Sequence, residues 1–409
     1  MNSLRPKKLF LLAVIILLCY SLQVHINSAS AVVSIQRYVS TTGYDDSDCS
    51  NSSDPCLTLG YTISQSVAGD VINIAAGTYS PVNVTISKAL TLQGAGMNST
   101  ILDGSGIGIV INISAGPVSI VDLKVEDGLS TDFGGGITSW NSNLTLTRVV
   151  ISGNTGKFGG GVFNKNGDLN MTDCQVQGNA ATSNGGGLYI EGTGTKTITG
   201  STISGNSSNE NGAMFLGLIT ALSITNSTIT DNSCTRLTGC QGAFVSANVP
   251  VTILNTTITG NHSHNDAAVM VNGGTITFKN SIIALNYRGT TIDDCRAPNG
   301  SFVSQGHNLR SDTDCGTAAT DIFSITPLLG PLQDNGGYTP TIALLAGSPA
   351  IDAGTNTGCP ATDQRGQARP YNGTCDIGAF EYQPLPADFG KILPVDNAVG
   401  LGADVKLTW

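Results

Sequence analysis

Positive charge is scarce in this 409-residue chain: 19 Lys and Arg stand against 29 Asp and Glu, for a formal charge of −10. A surface of that sign repels phosphate backbones, so nucleic acid is a poor partner. The body of the chain also lacks any sustained helical stripe, and no apolar run after residue 31 reaches membrane-spanning length. No Cys-x-x-Cys pair or cysteine–histidine cluster is present, which leaves structural zinc without its usual ligands.

The first 31 residues are of a different kind. Lys7 and Lys8 precede an apolar run over residues 9–18, and Ala29-Ser30-Ala31 supplies small residues for cleavage, the pattern of a secretory leader. Its removal takes Arg5, Lys7 and Lys8 with it. The remaining chain has 16 basic residues against 29 acidic ones, a charge of −13, and no membrane span. Nine cysteines remain, and eight are close neighbours in sequence: Cys49 with Cys56, Cys234 with Cys240, Cys295 with Cys315 and Cys359 with Cys375. In a secreted chain these read as disulfides, with Cys174 left over as a buried thiol.

What the sequence does contain is a repeat. Six times between residues 133 and 290 a Gly/Ala-rich turn leads into an apolar strand, anchored at Ile137, Val162, Leu188, Met214, Phe244 and Val269. Each is followed by a hydrophobe-x-x-Asn motif ending at Asn154, Asn179, Asn206, Asn232, Asn261 and Asn286. The first marker is spaced 25, 26, 26, 30 and 25 residues, the second 25, 27, 26, 29 and 25. Two markers in step, with period-two alternation between them, indicate one coil of a solenoid per repeat. The expected fold is all-β, a right-handed parallel β-helix of about ten rungs with an N-terminal cap and an irregular C-terminal segment. Alternation sends Leu144/Leu146, Leu169/Met171, Leu222/Ile224, Val251/Ile253 and Ile276/Phe278 inward. Like then stacks on like, so the six asparagines should form a ladder, amide to amide.

The expected division is a leader (1–31), a cap (32–70) with a short helix within 57–67, the β-helix (71–290), a C-terminal segment (291–383) and a linker (384–409). The cap shields the open first rung.

The Gly-Gly-hydrophobe and hydrophobe-x-x-Asn repeats resemble those of polymorphic outer membrane proteins and of pectin-lyase-like β-helices. From residue 280 to 383, GHNLRSDTDCG at Gly306, PLLGPLQDNGG at Pro327, GSPAIDAG at Gly347, DQRGQARP at Asp363 and CDIGAFEY at Cys375 resemble the choice-of-anchor Q domain of bacterial surface and secreted proteins. That resemblance implies display or secretion. Residues 385–409 look like the first strands of an immunoglobulin-like or fibronectin-like domain, so further domains are expected beyond residue 409.

Chemistry is sparse. Residues 133–289 hold six acids, Asp168, Asp173, Glu191, Glu210, Asp231 and Asp266, and none coincide in register on adjacent repeats. Asp122, Glu126, Asp127 and Asp132, near Lys124 and Arg148, form the densest acidic cluster and a weak calcium candidate; otherwise no cofactor is implied. His262 and His264 lack a third metal ligand. Asp363, Arg365, Arg369, Asp376 and Glu381 suit an internal arginine–carboxylate network that ties the C-terminal segment down. Phe163, Tyr189, Phe215, Val245 and Met270 follow the inward anchors and point outward as an apolar stripe, a candidate binding groove unless the C-terminal segment covers it. The sequence therefore favours a secreted or surface-displayed β-helix that binds glycan or protein partners without catalysis. A polysaccharide lyase or glycoside hydrolase acting on acidic polysaccharide is the alternative, and it requires acids and bases that converge in an exposed groove.

Overall fold

The computed structural model describes residues 34–384 apart from 238, 239 and 241; the expected leader and the chain from residue 385 onward lie outside the described residues. Parallel strands dominate. Successive repeats pair in register, as in Leu144↔Leu169↔Lys196↔Leu222↔Val251↔Ile276, so sequence spacing becomes stacking along one axis. Three ribbons form the walls, with 20, 7 and 9 strands, here called sheets I, II and III. The nine strands of sheet III mark about nine turns, close to the ten expected. One turn runs through Leu144–Ser152 of sheet I, Thr155–Phe158 of sheet II and Val162–Lys165 of sheet III. The fold is thus a parallel β-solenoid.

Local backbone preferences set its corners. Midway through sheet I the chain bends at Asp122, Arg148, Asp173, Gly200, Asn226, Asn255 and Asn280, whose φ angles lie between 44° and 61°. Six of the seven are Asp, Asn or Gly, the types that enter the left-handed region most readily. A second left-handed column, Gly153, Gly178, Gly205, Asp231, Gly260 and Leu285, turns sheet I into sheet II. This explains hydrophobe-x-x-Asn: the hydrophobe points in, the next residue points out, the third turns, and the asparagine lands inside.

Inside, one continuous hydrophobic cluster runs from Val39 to Cys315 and includes Leu146, Met171, Ile198, Ile224 and Ile253, all fully buried. The N-terminal end is closed by the helix Leu59–Gln65, capped by Thr58, whose hydroxyl accepts the Tyr61 N–H. The Cys49–Cys56 loop also hydrogen-bonds to the first strand, through Tyr38. All four expected disulfides are present and Cys174 is a buried free thiol.

The asparagine ladder is continuous. Nδ2 of Asn154, Asn179, Asn206, Asn232 and Asn261 each donates to Oδ1 of the next asparagine, at 2.9–3.0 Å. The same Oδ1 accepts the previous asparagine's backbone N–H, and Nδ2 also reaches a carbonyl one turn back, as from Asn206 to Val176 at 2.9 Å. The ladder ends on Asp294, which accepts from Nδ2 and N–H of Asn286 and from Ser311. Glycine makes room for it. A Cβ on Gly136, Gly161 or Gly187 would sit 2.8–3.0 Å from the amide carbon of Asn154, Asn179 or Asn206. The two sequence markers are therefore two sides of one contact.

A second ladder was not anticipated. At the bend in sheet I, Cys174 N–H donates to Ser201 Oγ, Ser201 N–H to Ser227 Oγ, Thr256 N–H to Ser281 Oγ and Ser281 N–H to Asn308 Oδ1. Each hydroxyl in turn donates to the carbonyl two residues earlier, as from Ser201 to Thr199 at 2.9 Å. Cys174 occupies a ladder position, and burial pushes its thiol up to about 12.

Replacing Asn206 by Ala strands the buried N–H of Asn179 and takes one of three acceptors from its Nδ2, so a loss of about 3 kcal/mol is expected, read as a shift of the denaturant midpoint at constant m-value. Gly187→Ala alone should cost about 1–3 kcal/mol by overpacking. Added to Asn206→Ala it should cost much less, because the amide it strikes is gone; strict additivity would refute the contact.

Burial raises the Asp294 carboxyl to about 6. The folded state therefore binds this proton more tightly than the unfolded chain, where an aspartate titrates near 4. The contribution is full below about pH 4 and is lost as pH rises to about 6, on the order of 3 kcal/mol at 1.36 kcal/mol per unit. Stability measured at pH 4 and pH 7 should fall more in wild type than in Asp294→Asn, whatever the fixed offset between them.

Candidate functional site

Three places concentrate chemistry. The stripe on sheet III is aligned as expected, Phe163↔Tyr189↔Phe215↔Val245↔Met270 on successive turns. Its exposure is not as expected. Phe163, Val245 and Met270 are buried at 2%, 1% and 4% exposure, and only Tyr189 and Phe215 are half-buried. The rings lie face to face, Phe163 on Tyr189 at 5.4 Å and Tyr189 on Phe215 at 5.1 Å. Their faces are spent on each other, so only edges point outward. Phe133 and Trp140 of the preceding turn close over Phe163 at 5.0 and 4.9 Å, and Phe158 leans on Tyr189 at 5.3 Å. Sequence alternation assigns direction, and these neighbours decide access. Lys157 and Lys165 stand 5.3 and 5.7 Å from the Phe158 and Trp140 rings, and Lys165 also pairs with Glu191.

The C-terminal segment covers a different face. It lies on the half of sheet I that carries Gln175, Thr202, Thr228 and Thr257 on its outer side. Gln175 donates to the Tyr338 carbonyl, Thr202 to the Pro340 carbonyl and Thr228 to Gln364 Oε1, while Gln364 Nε2 donates to Thr202 and Thr339. Thr257 accepts the Ala379 N–H, and Asn280 bonds Thr355 in both directions. Three of these outward threonines, Thr202, Thr228 and Thr257, are consequently buried. The strap carries the second concentration of charge. Arg365 pairs with Asp363 at 2.8 Å, lies 3.5 Å over the Phe380 ring and donates to the Glu381 carbonyl. Arg369 sits 3.6 Å from Glu381 and donates to the carbonyls of Asp376 and Gly378. Burial pushes Asp376 up to about 7, with Glu381 acting the same way and Arg369 opposing. Every carboxylate here accepts main-chain N–H groups, a structural network with no room for a substrate.

The third place is the acidic cluster near the N-terminal turns. Arg148 grips both oxygens of Asp122, at 2.6 and 2.7 Å, and holds that carboxyl below its usual range; Gln93 adds a bond at 3.1 Å. Glu126 is paired with Lys124. Asp103 is in register with Glu126 on the next turn, a juxtaposition hidden in the sequence because these early turns lack the regular repeat markers. Beside them a shallow groove is lined by Asp103, Ser105, Asp127, Leu129 and Thr155. His262 stacks on Tyr287 at 5.1 Å, and among the described residues no group of three or more His, Cys, Asp or Glu is arranged to hold a metal.

No family model matches the chain, and no curated protein matches it. Among solved structures, the crystal structure of pectate lyase Pel9A is similar with a TM-score of 0.46 and 16% identity, covering 86% of this chain and 98% of that chain.

Because Asp122 and Glu126 already have cationic partners, the cluster offers calcium few free oxygens. Millimolar calcium or a chelator should leave the melting temperature unchanged. A rise of several degrees with calcium, abolished by Asp127→Asn, would show that the cluster takes the ion.

Proposed function

We propose that this chain is a secreted or surface-displayed binding stalk without catalysis, whose partners are glycans or surface proteins. In this reading residues 32–70 cap the solenoid, 71–290 form it, and 291–383 are a strap of the choice-of-anchor Q type. The observation that carries it is the ring cluster on sheet III. Phe133, Trp140, Phe158, Tyr189 and Phe215 are each half-buried, so they form a rigid platform whose edges are accessible beside Lys157 and Lys165. Aromatic anchors held in place by packing supply much of the affinity in such sites. Four disulfides suit an oxidising compartment, and among the described residues no helix is long and apolar enough to cross a membrane.

A second reading, a lyase or hydrolase acting on acidic polysaccharide, is favoured by the adjacent carboxylates Asp103 and Glu126 beside Lys124. Glycan-array binding run beside uronate release separates the two. The double change Tyr189→Ser with Phe215→Ser spares buried Phe163 and should weaken binding about tenfold or more while the fold survives. Glu126→Gln should leave binding intact. Uronate release by wild type that Glu126→Gln abolishes and the aromatic variant keeps would overturn the stalk reading in favour of the enzyme.

A further inference from the structure

One inner position breaks the hydrophobic column. Lys196 occupies the place held by Leu169 on the turn before and Leu222 on the turn after, and it is only 1% exposed. Its Nζ donates to Asn164 Oδ1 at 2.7 Å and to the Gly167 carbonyl. No carboxylate pairs with it among the described residues, and burial lowers its ammonium to about 8, with surface Asp168 opposing weakly. A neutral amine is therefore accessible near physiological pH. Asn164 is fully buried as well, on the strand Val162–Lys165 of sheet III, in register with Ser139 and Ile190. Its Nδ2 has no hydrogen-bond partner among the described residues.

The interior thus holds a cation without a counterion beside an amide nitrogen without an acceptor, and both are costly in an apolar core. One reaction removes both. We propose that Lys196 and Asn164 condense into an intramolecular isopeptide cross-link. The lone pair of the neutral Nζ forms a bond to Asn164 Cγ, the Cγ–Nδ2 bond breaks, and Nδ2 leaves as ammonia with a proton taken from Nζ. No oxidant, reductant or cofactor is consumed. A desolvated lysine amine is a competent nucleophile, and the hydrogen bond already holds it against the amide it attacks. The product is a neutral secondary amide whose single N–H faces the Gly167 carbonyl. It ties sheet III to the strand Thr195–Thr199 of sheet I across 32 residues, locking a turn of the solenoid covalently. A chain so stapled resists unwinding from its ends, a property suited to a stalk under tension.

Peptide mapping of the full chain tests this. The expected product is a branched peptide joining the segments that carry residues 164 and 196, lighter than their sum by one ammonia. It should be missing from Lys196→Met, whose side chain suits a column otherwise filled by leucine and so keeps the fold, and from Lys196→Arg, which retains charge but cannot condense in the same way. Wild type should also melt above Lys196→Met. Recovery of both wild-type segments as linear peptides, with the amide at 164 and the amine at 196 intact, would overturn the cross-link, and Lys196→Met melting above wild type would then mark the lysine as a buried cation and nothing more.

Discussion

The buried asparagine ladder is the interaction on which this solenoid depends. Each turn must bring a polar backbone corner into an apolar interior, where an unpaired N–H or C=O is costly. In the six regular repeats, one asparagine per turn answers that need in three directions. Its Oδ1 accepts from the turn before, and its Nδ2 donates both to the turn after and to a carbonyl of the turn before. The arrangement works only if turns are in register, so it fixes the stacking as well as satisfying the backbone. It works only if the facing chain passes close, which is why Gly161 and Gly187 face Asn179 and Asn206 without a Cβ. Asp294 ends the run with a group that accepts and has nothing left to donate onward.

With register fixed, everything outside the column follows from what lies over it. The same parallel stacking produces a ring ladder on sheet III and a threonine column on sheet I, and neither is simply surface. The rings bury one another and are closed at one end by Phe133 and Trp140. The threonines are bridged by Gln364 and the main chain of the strap. Charge is handled likewise: Asp122, Glu126, Asp363 and Glu381 are each matched to a nearby Lys or Arg. On sheet III, aromatic edges remain accessible beside Lys157 and Lys165, and the binding proposal rests on them.

The interior is also where the molecule departs from its own rule. Lys196 enters a leucine column, and its head group finds only an amide and a carbonyl. A satisfied polar group in a core rigidifies it, whereas a half-satisfied one carries a standing cost, and Asn164 Nδ2 is on the wrong side of that division. A site whose penalties vanish through one covalent bond is a reasonable place to look for that bond.

The sequence by itself determined the solenoid, its period, the inward columns, the asparagine ladder and the cysteine pairing. These are local or strictly periodic: alternation gives direction, a repeat of 25–30 residues gives stacking, and short cysteine separations give proximity. It could not reveal the hydroxyl ladder, because Ser201, Ser227, Thr256 and Ser281 look like ordinary strand residues until the bend at Gly200, Asn226, Asn255 and Asn280 turns them inward. Nor could it place the strap, whose contacts such as Gln364 to Thr202 span 162 residues and follow no period. Access to the aromatic stripe, the pairing of Asp103 with Glu126 and the meeting of Lys196 with Asn164 were all decided in three dimensions. Periodicity specifies which way a side chain points; only the packed chain determines what it meets there.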